Sequence, residues 1–68
     1  QYDIIFADPP YSLEETANLP TTIFNKGLLA EGGLLVVEHG RETSFDEHPN
    51  FISTRKFGNV NFTFFEES

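Results

Sequence analysis

Two apolar runs, separated by a stretch with helical spacing, dominate the pattern of hydrophobic and polar residues along this chain. The first lies in residues 3–8 and contains Ile4-Ile5-Phe6, which predicts a buried parallel strand. The second lies in residues 33–40 and contains Leu34-Leu35-Val36-Val37, which predicts a second strand buried on both faces. A strand, a helix and a strand at this spacing predict a βαβ unit with parallel strands.

The residues between these strands predict helix in two pieces. Ser12 and Glu15 have capping-box spacing, which indicates a short helical turn that Pro20 interrupts. Thr21-Thr22 then offers an N-cap for a second helix. The sequence predicts that this second helix continues through Leu29-Ala30-Glu31 and stops at Gly32-Gly33.

The last third of the chain changes to a strand pattern. Residues 41–50 are charged and turn-prone, which predicts a loop. Residues 51–57 and 60–64 alternate around the turn residues Gly58-Asn59, so we expect a terminal antiparallel hairpin. In the first hairpin strand, the alternation puts four residues on one side: Phe51, Ser53, Arg55 and Phe57.

Composition narrows the class of protein. Sixty-eight residues allow one small domain, and eight Phe with two Tyr argue against disorder. Without Cys, and with only His39 and His48, we expect no metal site. No apolar run is long enough for a membrane span and no signal peptide pattern opens the chain, so a soluble, cytoplasmic protein is the expectation. The net charge of −7 makes this segment alone a poor nucleic-acid binder.

Asp8-Pro9-Pro10-Tyr11 stands at the predicted carboxyl end of the first strand, where open α/β sheets bind ligands. The Asp8 carboxylate and the Pro9 carbonyl could each accept a hydrogen bond from an exocyclic amine. The stiff prolines, Pro9 and Pro10, would keep these acceptors in place, and Tyr11 offers a face on which a base can stack. The structural alternative is an ordinary loop with Tyr11 packed beneath it.

This tetrapeptide resembles motif IV of the S-adenosylmethionine-dependent amino-methyltransferases, written (Asp/Asn/Ser)-Pro-Pro-(Tyr/Phe/Trp). The segments Gly32–His39 and Arg55–Asn59 resemble the carboxyl-terminal part of the RsmD family, which methylates a guanine N2 in small-subunit ribosomal RNA. The resemblance implies an α/β fold: the C-terminal portion of a Rossmann-like three-layer α/β/α sandwich, with two parallel strands plus an antiparallel terminal hairpin. It also implies S-adenosylmethionine as cofactor, ribosomal RNA or a pre-ribosomal particle as partner, and catalytic roles for Asp8, Pro9, Pro10 and Tyr11.

One departure from the family pattern concerns the cofactor. The family binds it through a glycine-rich loop and an acid that precede motif IV, whereas all five glycines of this chain follow Tyr11. The chain also begins with Gln1, next to a predicted buried strand. We therefore expect residues 1–68 to be a partial methyltransferase domain without cofactor-binding residues. Two alternatives stay open, namely a DNA adenine-N6 methyltransferase and a non-catalytic α/β module.

The other polar residues are weaker candidates for a functional site. Glu38 and His39 end the second strand, on the same sheet edge as Asp8, where a structural role is the simpler interpretation. The basic residues could touch RNA phosphates or be ordinary surface; they include Arg41, Arg55 and Lys56.

Overall fold

The structure is a computed structural model that describes residues 1–7 and 12–67. Four strands and one helix follow each other along the chain: β1 (Tyr2–Ala7), α1 (Leu13–Asn25), β2 (Leu29–His39), β3 (Phe51–Phe57) and β4 (Val60–Glu66). They build one mixed sheet in the order β1-β2-β4-β3, in which β1 and β2 are parallel and β4 is antiparallel to both neighbours. The predicted βαβ unit and terminal hairpin are confirmed.

Helix α1 begins as the sequence predicts but does not break at Pro20. The Glu15 N–H donates to Ser12 Oγ, and the Ser12 N–H donates to Glu15 Oε1, each at 3.1 Å, so the capping box is confirmed. The predicted interruption is wrong, because one helix continues through Pro20 to Asn25. A proline in a helix interior costs about 3 kcal/mol. Pro20 is fully buried, and burial of its ring in the tertiary structure offsets that cost.

The predicted helix stop at Gly32-Gly33 is also wrong. Gly27 adopts a φ of +64°, which a residue without a Cβ reaches at little cost. Its N–H donates to the Phe24 carbonyl at 3.2 Å, and the Leu28 N–H donates to the Ile23 carbonyl at 3.4 Å. These two bonds form a Schellman motif that ends the helix. Strand β2 consequently begins at Leu29, four residues earlier than predicted.

One face of the sheet packs against α1 and the loop of residues 40–50. Phe65 is fully buried and lies between the aromatic rings of Phe24 and Phe45, with ring-centroid distances of 6.3 and 5.3 Å. The buried apolar residues that form this core come from β1, α1, β2, β4 and the loop of residues 40–50. They are Ala7, Ile23, Leu29, Leu35, Val37, Phe45 and Phe65. Edge-on aromatic pairs add about 0.5–1.5 kcal/mol each beyond burial. The core therefore lies on a single side of the sheet.

The opposite face, which we call the open face, exposes large apolar side chains. Ile4 and Phe6 of β1 are 65% and 58% exposed, and Phe57 of β3 is 59% exposed. The prediction that β1 is a buried strand is wrong for this chain. Strand β1 stands at the edge of the described sheet with a neighbour on one side only, and α1 covers the other face.

Strand β3 carries an irregularity that the sequence pattern did not predict. Phe51 pairs with Phe65, whereas Ser53 pairs with Phe64, so the register shifts between them. Because Phe64 and Phe65 point to opposite faces, Phe51 packs on the core and Ser53 faces the other side. The predicted grouping of Phe51 with Ser53 is therefore wrong.

Gly32-Gly33 forms a kink inside β2 instead of a helix stop. The Gly32 N–H donates to the Glu67 carbonyl at 2.7 Å, and the Glu67 N–H donates to the Gly33 carbonyl at 2.9 Å. A Cβ on Gly33 would lie 2.8 Å from the Ala30 carbonyl oxygen and 3.1 Å from that of Asp3. Backbone atoms on two sides thus exclude any side chain at this position.

Replacement of Gly33 by Ala should lower the free energy of unfolding by about 1–3 kcal/mol, the cost of overpacking against atoms that cannot move aside. Gly40→Ala is the matched control, because its Cβ would meet only the flexible carboxylate end of Glu42, at 2.6 Å. Urea unfolding of both variants is the measurement. Equal stabilities for the two variants would contradict the close approach at Gly33.

Candidate functional site

The carboxyl ends of β1 and β2 lie side by side at one edge of the sheet. Ala7, the last residue of β1, pairs with Val37, and β2 ends two residues later at His39. Ser12 begins the next described segment and caps α1. The four predicted catalytic residues join Ala7 to Ser12 and lie outside the described residues: Asp8, Pro9, Pro10 and Tyr11. Their chain neighbours are thus at the sheet edge where ligands of open α/β sheets bind.

Glu38 and His39 reach this edge but point to opposite faces. The parallel pairing of β1 with β2 puts both at the expected end of the sheet. His39 is 5% exposed and lies on the core side, as Val37 does. Glu38 pairs with Phe62 and stands on the open face, where Phe62 contacts Phe6 with ring centroids 6.1 Å apart. The two side chains therefore do not converge on one crevice.

A directed chain of hydrogen bonds holds His39 in place. Its Nδ1 lies 2.9 Å from the Gly40 carbonyl oxygen, which only accepts, so Nδ1 carries the proton in the neutral ring. Nε2, 2.6 Å from Thr63 Oγ1, must then accept from the Thr63 hydroxyl. Thr63 in turn accepts from Thr54, whose hydroxyl lies 2.9 Å away. The interpretation of His39 as a structural residue agrees with this geometry.

The second histidine has a different environment. His48 lies in the loop before β3, with its ring centroid 5.2 Å from that of Phe65 and 5.6 Å from that of Phe24. Burial lowers the pKa of His48 below its ordinary value of 6.5, because the charged ring loses solvation. Its Nδ1 accepts from the Asn50 N–H at 3.0 Å, which assigns the proton of the neutral ring to Nε2. His48 therefore packs the loop before β3 against the core, and its role is structural.

The predicted basic residues divide between the two faces. Arg41 and Lys56 line common cavities beyond the end of β2, whereas Arg55 lies on the open face beside Phe64. Asn61 and Thr63 are polar but buried, and sequence reasoning missed both. Their period-two spacing in β4, between the apolar Val60, Phe62 and Phe64, ordinarily indicates a solvent-facing side, so no local signal marked them as buried.

Among residues 1–7 and 12–67, no cluster of three or more His, Asp or Glu side chains could hold a metal ion. Within the same residues, no helix is both long and apolar enough to cross a membrane. The glycines also have structural roles that do not build a cofactor cradle. Gly27 ends α1, Gly33 packs against two carbonyls, and Gly58 forms the β3–β4 turn at a φ of +62°. These three glycines therefore serve turns and backbone packing in this structure.

Comparison with known proteins adds a family and a fold. A family model described as "Conserved hypothetical protein 95" matches residues 1–66. A crystal structure from Haemophilus influenzae, described as a "putative methylase", matches 97% of the chain with a TM-score of 0.77 at 18% identity. An Escherichia coli structure, described as a "putative methyltransferase", matches 97% with a TM-score of 0.67 at 28% identity. No curated protein matches the chain.

The fold of the chain is that of the C-terminal portion of a Rossmann-like domain, as its α/β pattern and motif resemblance predicted. The chain spans 42% of the Haemophilus influenzae structure and 38% of the Escherichia coli structure. These two structures therefore contain extensive regions with no counterpart in the 68 residues.

Thr63→Val, which keeps the shape of the side chain, should lower the free energy of unfolding by about 1–3 kcal/mol, because it removes the hydroxyl between His39 and Thr54 in a fully buried position. Thr54→Val leaves the Thr63–His39 bond intact and should cost less. Denaturant unfolding of the two variants measures the difference. Equal losses would contradict a chain directed through Thr63.

Proposed function

This chain belongs to the RsmD-like family described as Conserved hypothetical protein 95, and we propose that it forms the amine-binding part of an S-adenosylmethionine-dependent methyltransferase. The single observation that carries the proposal is the position of the Asp-Pro-Pro-Tyr tetrapeptide. In the sequence it comes directly after Ala7, which ends β1 at the edge where β1 and β2 end together. Motif IV of the amino-methyltransferases likewise follows a hydrophobic strand.

We infer that the active protein is longer than these 68 residues and that the remainder covers the open face. Ile4, Phe6 and Phe57 expose apolar area of the kind that marks an interaction surface. Strand β1 also ends the described sheet, with its outer edge available for another strand. The extent of the two solved structures beyond the matched part supports this inference.

In this proposal, residues 8–11 hold an exocyclic amine. The Asp8 carboxylate accepts one N–H of the amine and the Pro9 carbonyl accepts the other, which turns the nitrogen lone pair away from both acceptors. Pro10 stiffens the turn, and Tyr11 stacks on the base. The methyl donor brings an electrophilic methyl group, and its binding residues belong to the remainder of the protein. The role of residues 8–11 in this proposal is to position the amine nitrogen, which is the nucleophile, and to accept hydrogen bonds from its two N–H groups.

The proposed substrate is the N2 amine of a guanine in small-subunit ribosomal RNA, within the cytoplasm. The support is the resemblance of Gly32–His39 and Arg55–Asn59 to the RsmD family, together with the family match over residues 1–66. Analysis of modified nucleosides tests this substrate. N2-methylguanosine missing from the small-subunit RNA of a deletion strain, and restored by the gene, is the expected result. Loss of N6-methyladenine from DNA instead would overturn it.

Asp8→Ala in the full-length protein should slow methylation by about 10²–10⁴-fold, because the amine loses an acceptor that orients it and takes part in its proton chemistry. Asp8→Asn keeps an acceptor oxygen and should retain more activity. Asp3→Ala is the matched control, since Asp3 is an exposed acid near the start of β1, away from its carboxyl end. Normal turnover by Asp8→Ala would remove Asp8 from the mechanism.

The 68-residue chain alone should bind S-adenosylmethionine weakly or not at all, because its glycines are committed to turns and close packing. Isothermal titration calorimetry is the measurement, with the full-length protein as the positive control. A micromolar dissociation constant for the 68-residue chain would show that the cofactor site lies within it.

A further inference from the structure

Two cavities at the carboxyl edge of the sheet share the side chains of Arg41, Lys56 and Asn61. One has a volume of about 250 Å³ and the other about 330 Å³. They lie between the end of β2 and the β3–β4 turn. We call them together the Arg41–Lys56 cavity. None of its three shared residues belongs to the predicted catalytic tetrapeptide.

The register of the sheet brings these residues together. His39 pairs with Asn61 across β2 and β4, and Asn61 pairs with Lys56 across β4 and β3. Paired residues share a face, so Lys56 and Asn61 stand beside buried His39 on the core side. Arg41 follows two residues after His39, and its Nη2 donates to Asn59 Oδ1 at 3.2 Å. This bond holds the guanidinium towards the β3–β4 turn.

The charge of the cavity is opposite to that of the chain. The chain has a net charge of −7 and only four basic residues, of which two line this cavity. One carboxylate, that of Asp46, also lines it. Two cations and one anion leave the described lining with a net positive charge. An anion is therefore the ligand that this part of the surface attracts.

The remaining lining supplies neutral polar groups. Asn61 contributes an amide, and Thr43 and Ser44 contribute hydroxyls. Thr54 forms part of the floor, and its hydroxyl proton is directed to Thr63 when His39 is neutral. Among the described residues, the lining has no aromatic side chain other than the His39 ring, which is hydrogen-bonded to Gly40 and Thr63. The cavity therefore suits a phosphate better than a stacked base.

We propose that the Arg41–Lys56 cavity binds a backbone phosphate of the RNA substrate. Arg41 offers a planar fork of donors and Lys56 a point charge, the two side chains that most often contact phosphates. This assignment rests on the proposed function for its substrate class. It adds a contact that positions the RNA strand without reading its sequence.

The distance between the proposed amine site and the Arg41–Lys56 cavity is compatible with a contact to a phosphate of the same RNA strand. Strands β1, β2, β4 and β3 are neighbours in that order, so three strand spacings, roughly 14 Å, separate the end of β1 from the end of β3. All three strands that end at this edge, β1, β2 and β3, run in the same direction. A strand of RNA whose base lies at residues 8–11 would pass its backbone along this edge.

The test is RNA binding by the full-length protein, measured by fluorescence anisotropy with a labelled single-stranded fragment of small-subunit ribosomal RNA. The double variant Arg41→Gln/Lys56→Gln should weaken binding about tenfold and reduce the slope of log K against log salt by about 0.7, the value for one lost phosphate contact on a single strand. The matched control is Lys26→Glu, which changes the net charge by the same two units at the exposed end of α1. The control should change affinity less than about twofold.

Two further measurements, one with an Asp46 variant and one with inorganic phosphate, test the charge of the cavity and the identity of its ligand. Asp46→Asn should tighten RNA binding, because it removes the one acid of the described lining. Inorganic phosphate should compete only weakly, since a single free ion makes one of several contacts. Equal weakening by Arg41→Gln/Lys56→Gln and by Lys26→Glu, or no weakening by Arg41→Gln/Lys56→Gln, would overturn the proposal. Tight binding of inorganic phosphate without a preference for RNA would assign the cavity to a free anion instead.

Kinetics separate this proposal from the proposed function. The Arg41→Gln/Lys56→Gln variant should raise KM for RNA about tenfold and leave kcat within about twofold, because these side chains bind substrate far from the reacting amine. Asp8→Ala should act mainly on kcat. If the methylated base is not guanine but the difference in RNA binding between Arg41→Gln/Lys56→Gln and Lys26→Glu persists, the cavity assignment stands while the proposed substrate falls.

Discussion

The parallel pairing of β1 with β2 is the constraint on which the other features depend. Parallel strands need a crossover, so α1 must lie across one face of the sheet and form the core there with Leu35, Val37 and Phe65. The same pairing aligns the carboxyl ends of both strands at one edge. Ala7, the residue that precedes the tetrapeptide in the sequence, lies at this edge. Core and candidate site are thus two consequences of one backbone arrangement.

Strand β4 brings further polar residues to the same edge of the sheet. It enters between β2 and β3 and is antiparallel to both, so its first residues meet the last residues of each neighbour. Asn61 and Thr63 consequently stand beside His39 and under the loop of residues 40–50. Their burial is tolerable because no buried side-chain N or O among the described residues lacks a hydrogen bond.

The exposed apolar side chains of the open face support the proposal that this chain is part of a larger domain. Phe6, Phe57 and Phe62 form a line of contacting rings across it, with centroid distances of 6.1 and 5.6 Å. On the core face, comparable aromatic rings are covered by α1 and the loop. An α/β sheet with parallel strands is normally covered on both faces. The proposed remainder of the methyltransferase would supply the second layer and, with it, the cofactor wall of the site.

The sequence by itself determined the elements with strong local signals. Alternating and continuous apolar runs defined the strands, and the Ser12–Glu15 capping box marked the start of α1. Gly58-Asn59 marked the turn that closes the hairpin, and the Asp-Pro-Pro-Tyr tetrapeptide carried the resemblance to the family. Each of these signals lies within a few neighbouring residues, where backbone geometry and hydrogen bonding depend on local chemistry.

Only the tertiary structure decided the features that depend on distant contacts. Pro20 continues the helix because the core buries it, and Gly33 is a glycine position because the carbonyls of Ala30 and Asp3 approach it. The side on which β1 is covered, and the meeting of Arg41 with Lys56, follow from strand order, which no local pattern encodes. Burial and register couple residues far apart in the chain, and their energies can exceed local propensities of about 1–3 kcal/mol.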